Sequence, residues 1–348
     1  MEHDSLIVDL LKYCIVLSII EGVTTIREAR VKLDVLIKRL KDASLLLDSY
    51  SSNRFTMHDI VRDATLSIAF KEGGFFYKRQ VQLDNEWLNM DNVEKYTVIS
   101  LHYCDIVDGL PNSINFPRLK LFCIENNNHS LRIPDKFFEG ITELRVLLLV
   151  GIDLSHVPPS IKCLKKLRML CLEQCVIGDN LSIIGGLKKL RILSFSESEL
   201  KGFPFELGQL CKLQFLDISN CSKLEVIPHN VISCLNNLEE LYMRNNTVEW
   251  EIGGKTNASL AELSHLHQLK ALDMQIPDLD AFPKNAFFQA LDYYMITVGD
   301  FKMFSVEGFK MPDQYKASRT LALHLKEGNN NIHSQKRIKL LFSQSERS

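Results

Sequence analysis

The sequence predicts an α/β solenoid. Short parallel strands stack along one side, irregular or helical return segments run along the other, and a small separate unit precedes them. Three observations predict it. An apolar pattern restarts at Leu144, Leu167, Leu190 and Leu213, 23 residues apart each time. Inside each restart, apolar residues stand at the fourth and sixth positions: Leu147 and Leu149, Leu170 and Leu172, Leu193 and Phe195. Residues 1–75 lack this pattern.

The spacing has a mechanical meaning. The fourth and sixth positions alternate, so they point to one face of a short strand. Three residues on, at Ile152, Cys175, Ser198 and Cys221, the chain leaves the strand. Asn or Cys at that place satisfies backbone groups of the turn. Pro158, Pro204 and Pro228 then fix a bend that neither strand nor interior helix can continue. This is the leucine-rich repeat, L-x-x-L-x-L-x-x-N/C-x-L. One unit alone cannot bury its apolar face, so the units must stack.

Composition sets the class. The chain has 348 residues, 46% hydrophobic and 24% charged, with a formal net charge of -2. That balance is ordinary for a globular protein and gives no field of the size that draws nucleic acid. The greasiest stretch, Leu6 to Ile20, is interrupted by Asp9 and Lys12 and is too short to span a membrane. It lacks a basic start and a small-residue cleavage site, so it does not read as a signal peptide. Nine cysteines are an odd number, and Cys104, Cys175 and Cys221 fall on the repeat's N/C position. They read as reduced core thiols, which favours a cytoplasmic location.

In chain order, Ser5 to Ile20 is a helix by its apolar spacing, ended by Glu21-Gly22. Thr25-Ile26-Arg27-Glu28 is a capping box that opens a second helix to about Lys41. Its apolar positions are Ile26, Ala29, Leu33, Leu36, Ile37 and Leu40. A hairpin follows, Leu45 to Leu47 returning through Phe55 to Met57, and then a helix from Ile60 to Phe70. Helix, helix, hairpin, helix is compatible with a winged-helix unit, assigned here to residues 1–83. Residues 84–95 read as a linker. The solenoid then occupies residues 96–348 in about ten repeats, starting near Tyr96 and at Leu119, Leu144, Leu167, Leu190, Leu213, Leu238, Leu269, Leu291 and, incompletely, Ser318. A polar insertion, Glu249 to Asn257, lengthens the Leu238 unit. Lys339 to Phe342 is still apolar, whereas a solenoid ends in a polar cap.

Two places attract a functional reading. Between the buried leucines, alternate side chains face the inner, concave side of the strands. They are Val146 and Leu148, Phe215 and Asp217, Tyr242 and Arg244, Asp273, Tyr293 and Met295. Aromatic and Arg residues on such a face suit protein binding. The second place is Met57-His58-Asp59. Asp59 there serves as a helix N-cap, or His58 and the helix N-terminus together face an anion. Catalysis finds no support: no nucleophile elbow, paired carboxylates or zinc spacing stands out, and an enzyme or a metal site is not expected. Gly253-Gly254-Lys255-Thr256 mimics the end of a phosphate loop, but Glu249 stands where its first glycine belongs.

Residues 55–70, with Met57-His58-Asp59, resemble the MHD motif of plant NB-ARC leucine-rich-repeat disease resistance proteins. The helices before it resemble the end of the NB-ARC domain. The repeats after it, with Trp250 to Gly253 and Ala258 to Leu263, resemble the coiled-coil subclass. The resemblance implies an intracellular innate immune receptor, or a fragment of one. Its repeats sense a pathogen effector or a guarded host protein and restrain the NB-ARC of the full-length receptor. It also implies that His58 contacts the phosphate of ADP and that Asp59 supports the closed state. The phosphate loop lies upstream of this chain, so the switch is incomplete here. ADP or ATP is expected only in the full-length protein, with no cofactor in this chain. The alternatives are an extracellular repeat ectodomain, which predicts a signal peptide and paired cap cysteines, and a ubiquitin-ligase adaptor, which predicts an F-box-like N-terminus.

Overall fold

The computed structural model describes residues 5–71, 73–84, 93–127, 129–246, 248, 250, 257–276, 291–298 and 319–323. The chain divides into two compact units, residues 1–177 with 189–193, and residues 178–188 with 194–348.

The first unit opens with two helices. α1, Ile7–Leu17, stops when Ser18 turns left-handed (φ 58°) and donates its N–H to Cys14 O. α2, Ile26–Asp42, starts on the predicted capping box: Thr25 accepts from Glu28 N–H while the Glu28 carboxylate reaches back to the Thr25 N–H. It buries only Ile26, Ala29, Leu33 and Ile37, a narrow stripe against α1. Leu36 and Leu40, expected on that face, are 41% and 37% exposed because they lie one step off the stripe. Leu47–Asp48 and Arg54–Thr56 form the predicted hairpin, and Ser5–Leu6 adds a third strand on the other side of Arg54–Thr56. α3 runs Asp59–Lys71 and buries none of its residues.

The repeats of this unit form a parallel ladder. Val98–His102, Leu121–Glu125, Val146–Val150 and Met169–Glu173 pair in the register the leucine pattern demands. Ile99, Phe122, Leu147 and Leu170 share one row, and Leu101, Ile124, Leu149 and Leu172 the next. All eight are buried. One boundary needs correction. Phe75–Arg79 is itself a rung, parallel to Val98–His102 with Phe76 opposite Ile99. Gln82–Leu83 likewise pairs Asp105–Ile106. Residues 75–83 therefore belong to the solenoid and not to the N-terminal unit. The spacing from Phe75 to its partner Val98 is again 23 residues, but Lys78 stands where the pattern expects an apolar residue. Of the linker, residues 85–92 lie outside the described residues.

The second unit carries Phe215–Asp217, Glu240–Met243, Ala271–Ile276, Tyr293–Val298 and Arg319–Leu323, also parallel. Its return segments include one-turn helices at Ser182–Gly186, Phe205–Gln209 and Leu260–His265. Ser318 as a repeat start places Leu321 opposite Tyr294, whereas the structure pairs Arg319 with Tyr294 and Leu321 with Ile296. The slip is two residues, which keeps the same face inward. Apart from Trp250 and Asn257, the insertion lies outside the described residues, as does the apolar stretch near residue 340.

Two devices recur where the strands end. The N/C position works as predicted: Cys175 Sγ donates to Leu149 O (3.4 Å) and Cys221 Sγ to Phe195 O (3.1 Å). Asn246 accepts from Cys221 N–H and donates to Met243 O. The residue just before is left-handed: Tyr103, Gly151, Gln174, Glu197, Asn220 and Asn245 all have φ between 53° and 70°.

Candidate functional site

The inner strand face is not bare in the first unit, because α1 lies on it. α1 packs against Val146–Val150 and buries Val8, Leu11, Lys12, Cys14, Ile15 and Val16. Beneath it Val146 and Cys171 are fully buried, Met169 and Cys123 nearly so, and Leu148 is half-buried. Two arginines from the ladder hold the helix by its C-terminal end. Arg168 Nη1 donates to Val16 O at 3.2 Å and to Ser18 Oγ at 3.4 Å. Arg191 donates from Nη1 to Ile15 O and from Nη2 to Thr24 O, both at 3.3 Å. Cations at the carbonyl end of a helix meet the negative pole of its dipole. The Tyr13 hydroxyl pKa is driven well up, by burial first and then by Cys123, Cys171, Asp9 and Glu173 around it.

The expectation that Val146 and Leu148 are open to a partner is therefore corrected. The period of the strand gives their direction correctly, but α1 covers them. In the second unit Phe215, Asp217, Tyr242, Asp273 and Met295 are also buried, while Tyr293 is half-buried. Neighbouring rungs lie close enough for large side chains to cover one another. The Phe215 and Tyr242 rings stand 5.2 Å apart, tilted by 36°. Tyr242 donates its hydroxyl to Glu240 at 2.9 Å. Arg244 binds Asp273 through two hydrogen bonds, Nε to Oδ1 at 3.0 Å and Nη2 to Oδ2. Burial pushes the Asp273 carboxyl up, and Arg244 opposes that shift. Truncating Tyr242 or Arg244 thus removes internal packing.

His58 and Asp59 sit at the start of α3, both exposed. The cap is His58 rather than Asp59: its Nδ1 accepts from Ile60 N–H at 3.2 Å, which puts the ring proton on Nε2. Asp59 instead pairs with Arg62 at 2.7 Å, one turn on.

A further cluster escaped the sequence reading. Ser100 faces Cys123, and His102 faces Glu125, across two adjacent rungs. His102 Nδ1 lies 2.8 Å from Glu125 Oε2, and His102 Nε2 lies 2.6 Å from Ser100 Oγ. Tyr77 packs its ring 5.3 Å from that of His102, and Tyr103 donates to Glu125. Burial drives the Cys123 thiol pKa far up. Cys123 and Glu125 stand 21 and 23 residues after His102, in the next repeat, so only the register unites them. A match of Ser-x-His with Cys-x-Glu one period later was the available signal. Asp105 to Val107, Gly109, Leu110, Asn126 and Ser130 to Arg132 line a cavity of about 560 Å³.

A family model described as a leucine-rich repeat region matches residues 144–327. The Disease resistance protein At4g27190 of Arabidopsis thaliana is 24% identical over 298 residues, covering 80% of this chain and 28% of its own length. The Probable disease resistance protein At4g27220 of the same plant is 27% identical over 257 residues, covering 71% of this chain and 27% of its own. The chain thus spans about a quarter of the length of these curated relatives. Among solved structures, an internalin of Listeria monocytogenes overlaps 60% of this chain and 62% of its own at 17% identity, with a TM-score of 0.44. No described helix is long and apolar enough to cross a membrane.

Proposed function

Because the chain belongs to the leucine-rich-repeat family, we propose that it is the repeat-bearing part of a plant innate immune receptor of the disease-resistance type. The observation that carries this reading is the extent of the likeness: two disease resistance proteins match 80% and 71% of the chain. In this reading the repeats engage a protein, either a pathogen effector or a host protein that effectors modify. Residues before Phe75 are the end of an NB-ARC domain of the coiled-coil subclass, with a winged-helix fold and the MHD motif at His58 and Asp59. ADP or ATP binds only where the upstream phosphate loop is present, and His58 is then one of its contacts. The protein works in the cytoplasm as a sensor and a restraint, and catalyses nothing itself.

The seating of α1 supports a particular form of this reading. A partner that uses the inner face around Val146–Val150 has to compete with α1 for it. Binding and release of the N-terminal elements are then one event, which is how a sensing surface communicates with a switch. The test is genetic. Inactivating the gene in the plant that carries it, and scoring growth of a panel of bacterial, fungal and oomycete pathogens, should raise growth of at least one. Unchanged growth across the panel contradicts the proposal.

A further inference from the structure

We propose that His102, Cys123 and Glu125 form a binding site for one divalent transition-metal ion of the zinc type. Their ligand atoms, one imidazole nitrogen, one thiol sulfur and one carboxylate oxygen, all lie within 4.8 Å of one another. That is a set of N, S and O donors from neighbouring strands whose backbones are fixed by ladder hydrogen bonds. Mixed imidazole, thiolate and carboxylate donors suit zinc and cobalt and disfavour magnesium or calcium, which want oxygen alone.

The surroundings are those of a metal site. His102 Nδ1 faces the carboxylate at 2.8 Å, with one proton between them in the metal-free chain. The ion takes that proton's place. The displaced proton moves through solvent to Nε2, and the still neutral imidazole donates it to Ser100 Oγ, 2.6 Å away. Ser100 in turn directs its own hydrogen at the Cys123 sulfur, with which it already shares a hydrogen bond. Such an outer partner fixes the tautomer of a ligating histidine. Tyr103 does the same for Glu125. Cys123 releases its proton to solvent on binding. The charges then cancel, two positive on the ion against one on the thiolate and one on the carboxylate. A neutral site suits its half-buried position. The His102 and Glu125 side chains are 23% and 21% exposed, which leaves an entry path and a fourth coordination place for water.

The experiment uses the full chain, stripped with a chelator and kept reduced. Cobalt(II) is titrated first, and zinc then competes for it. We expect one equivalent of cobalt to bind, with a thiolate-to-cobalt charge-transfer band in the near ultraviolet that zinc abolishes. Cys123→Ser should lose the band. Glu125→Gln should weaken binding by about tenfold or more, and Ser100→Ala by about tenfold. Circular dichroism checks that each variant folds; if Cys123→Ser does not, the less buried Glu125→Gln decides. Absence of stoichiometric binding overturns the proposal. So does a band that survives in Cys123→Ser, which assigns the ion to another of the nine thiols, or unchanged affinity in Glu125→Gln.

Discussion

Gly151→Ala should cost far more than its neighbours along the solenoid suggest. Gly151 occupies the left-handed position that ends each strand, with φ 70°. Tyr103, Gln174, Glu197, Asn220 and Asn245 hold the same conformation with side chains in place, so the conformation alone does not demand glycine there. What differs is the space. A Cβ on Gly151 would lie 1.9 Å from Asn126 O and 3.0 Å from its carbonyl carbon, both backbone atoms. The repeat before it runs 25 residues instead of 23, from Leu119 to Leu144, and its turn crowds this spot. Left-handed backbone costs an alanine roughly 1–2 kcal/mol. Relieving the overlap requires the two turns to part. That breaks the hydrogen bond from Asn126 N–H to Val150 O (2.9 Å). Two unsatisfied backbone groups add about 1–3 kcal/mol each. The total is about 3–8 kcal/mol, against about 1–2 kcal/mol for Gly109→Ala, where φ is also 70° but nothing lies within 4 Å. Amide exchange of Leu121–Glu125 and Val146–Val150 is the assay, because a repeat array opens locally and a single melting midpoint averages it. Exchange there should rise by at least about a hundredfold in Gly151→Ala and not in Gly109→Ala. Equal effects of the two substitutions refute the reasoning.

Other consequences are smaller in scope. Arg244→Ala leaves the buried Asp273 without its ion-pair partner and should destabilise the second unit by about 3–5 kcal/mol in urea unfolding, while Arg244→Ala with Asp273→Asn should recover much of that loss. Thr25→Ala removes the capping box and should cost about 1 kcal/mol, read as faster exchange at the start of α2. Backbone and side-chain hydrogen bonds from Thr24 and Thr25 hold the Glu28 carboxyl below its ordinary pKa. Its contribution is therefore present above the ordinary carboxylate range and fades as pH falls through the lowered value. Glu28→Ala should remove that acid limb, and an unchanged limb speaks against these bonds. Among the thiols, Cys175 and Cys221 are buried and pushed up to about 12, whereas Cys211 and Cys234 are exposed. Alkylation of the native chain followed by peptide mass analysis should label Cys211 and Cys234 first. Labelling of Cys175 at the same rate contradicts the assigned core.

The sequence was legible wherever a local rule had one outcome. The leucine repeat placed Phe122, Leu147 and Leu170 in one row, and Thr25 to Glu28 opened α2, because both are fixed by neighbours in the chain. The rung at Phe75–Arg79 was hidden by Lys78, a charged side chain in an apolar place. The last rung slipped by two because even slips keep the alternation intact. The functional face was harder for a different reason. Alternation says which way Val146, Tyr242 and Asp273 point, but not what lies on them. Covering by α1 and the mutual covering of Phe215 and Tyr242 come from tertiary packing. The His102 cluster likewise depends on register between repeats, which no single repeat contains.

The central claim is that α1 occupies the inner face and that Arg168 and Arg191 fasten it there. Hydrogen exchange of Ile7–Leu17 in Arg168→Gln with Arg191→Gln, compared with the parent chain, tests it most directly. Each arginine at the helix C-terminus contributes about 0.3–1 kcal/mol, so losing both should weaken docking by about 0.6–2 kcal/mol. Exchange across Ile7–Leu17 should then rise by about tenfold, with Val146–Val150 deprotected beside it and Tyr293–Val298 unchanged. If α1 and Val146–Val150 keep the protection of the parent, α1 is not held on the strand face by these arginines and the account fails.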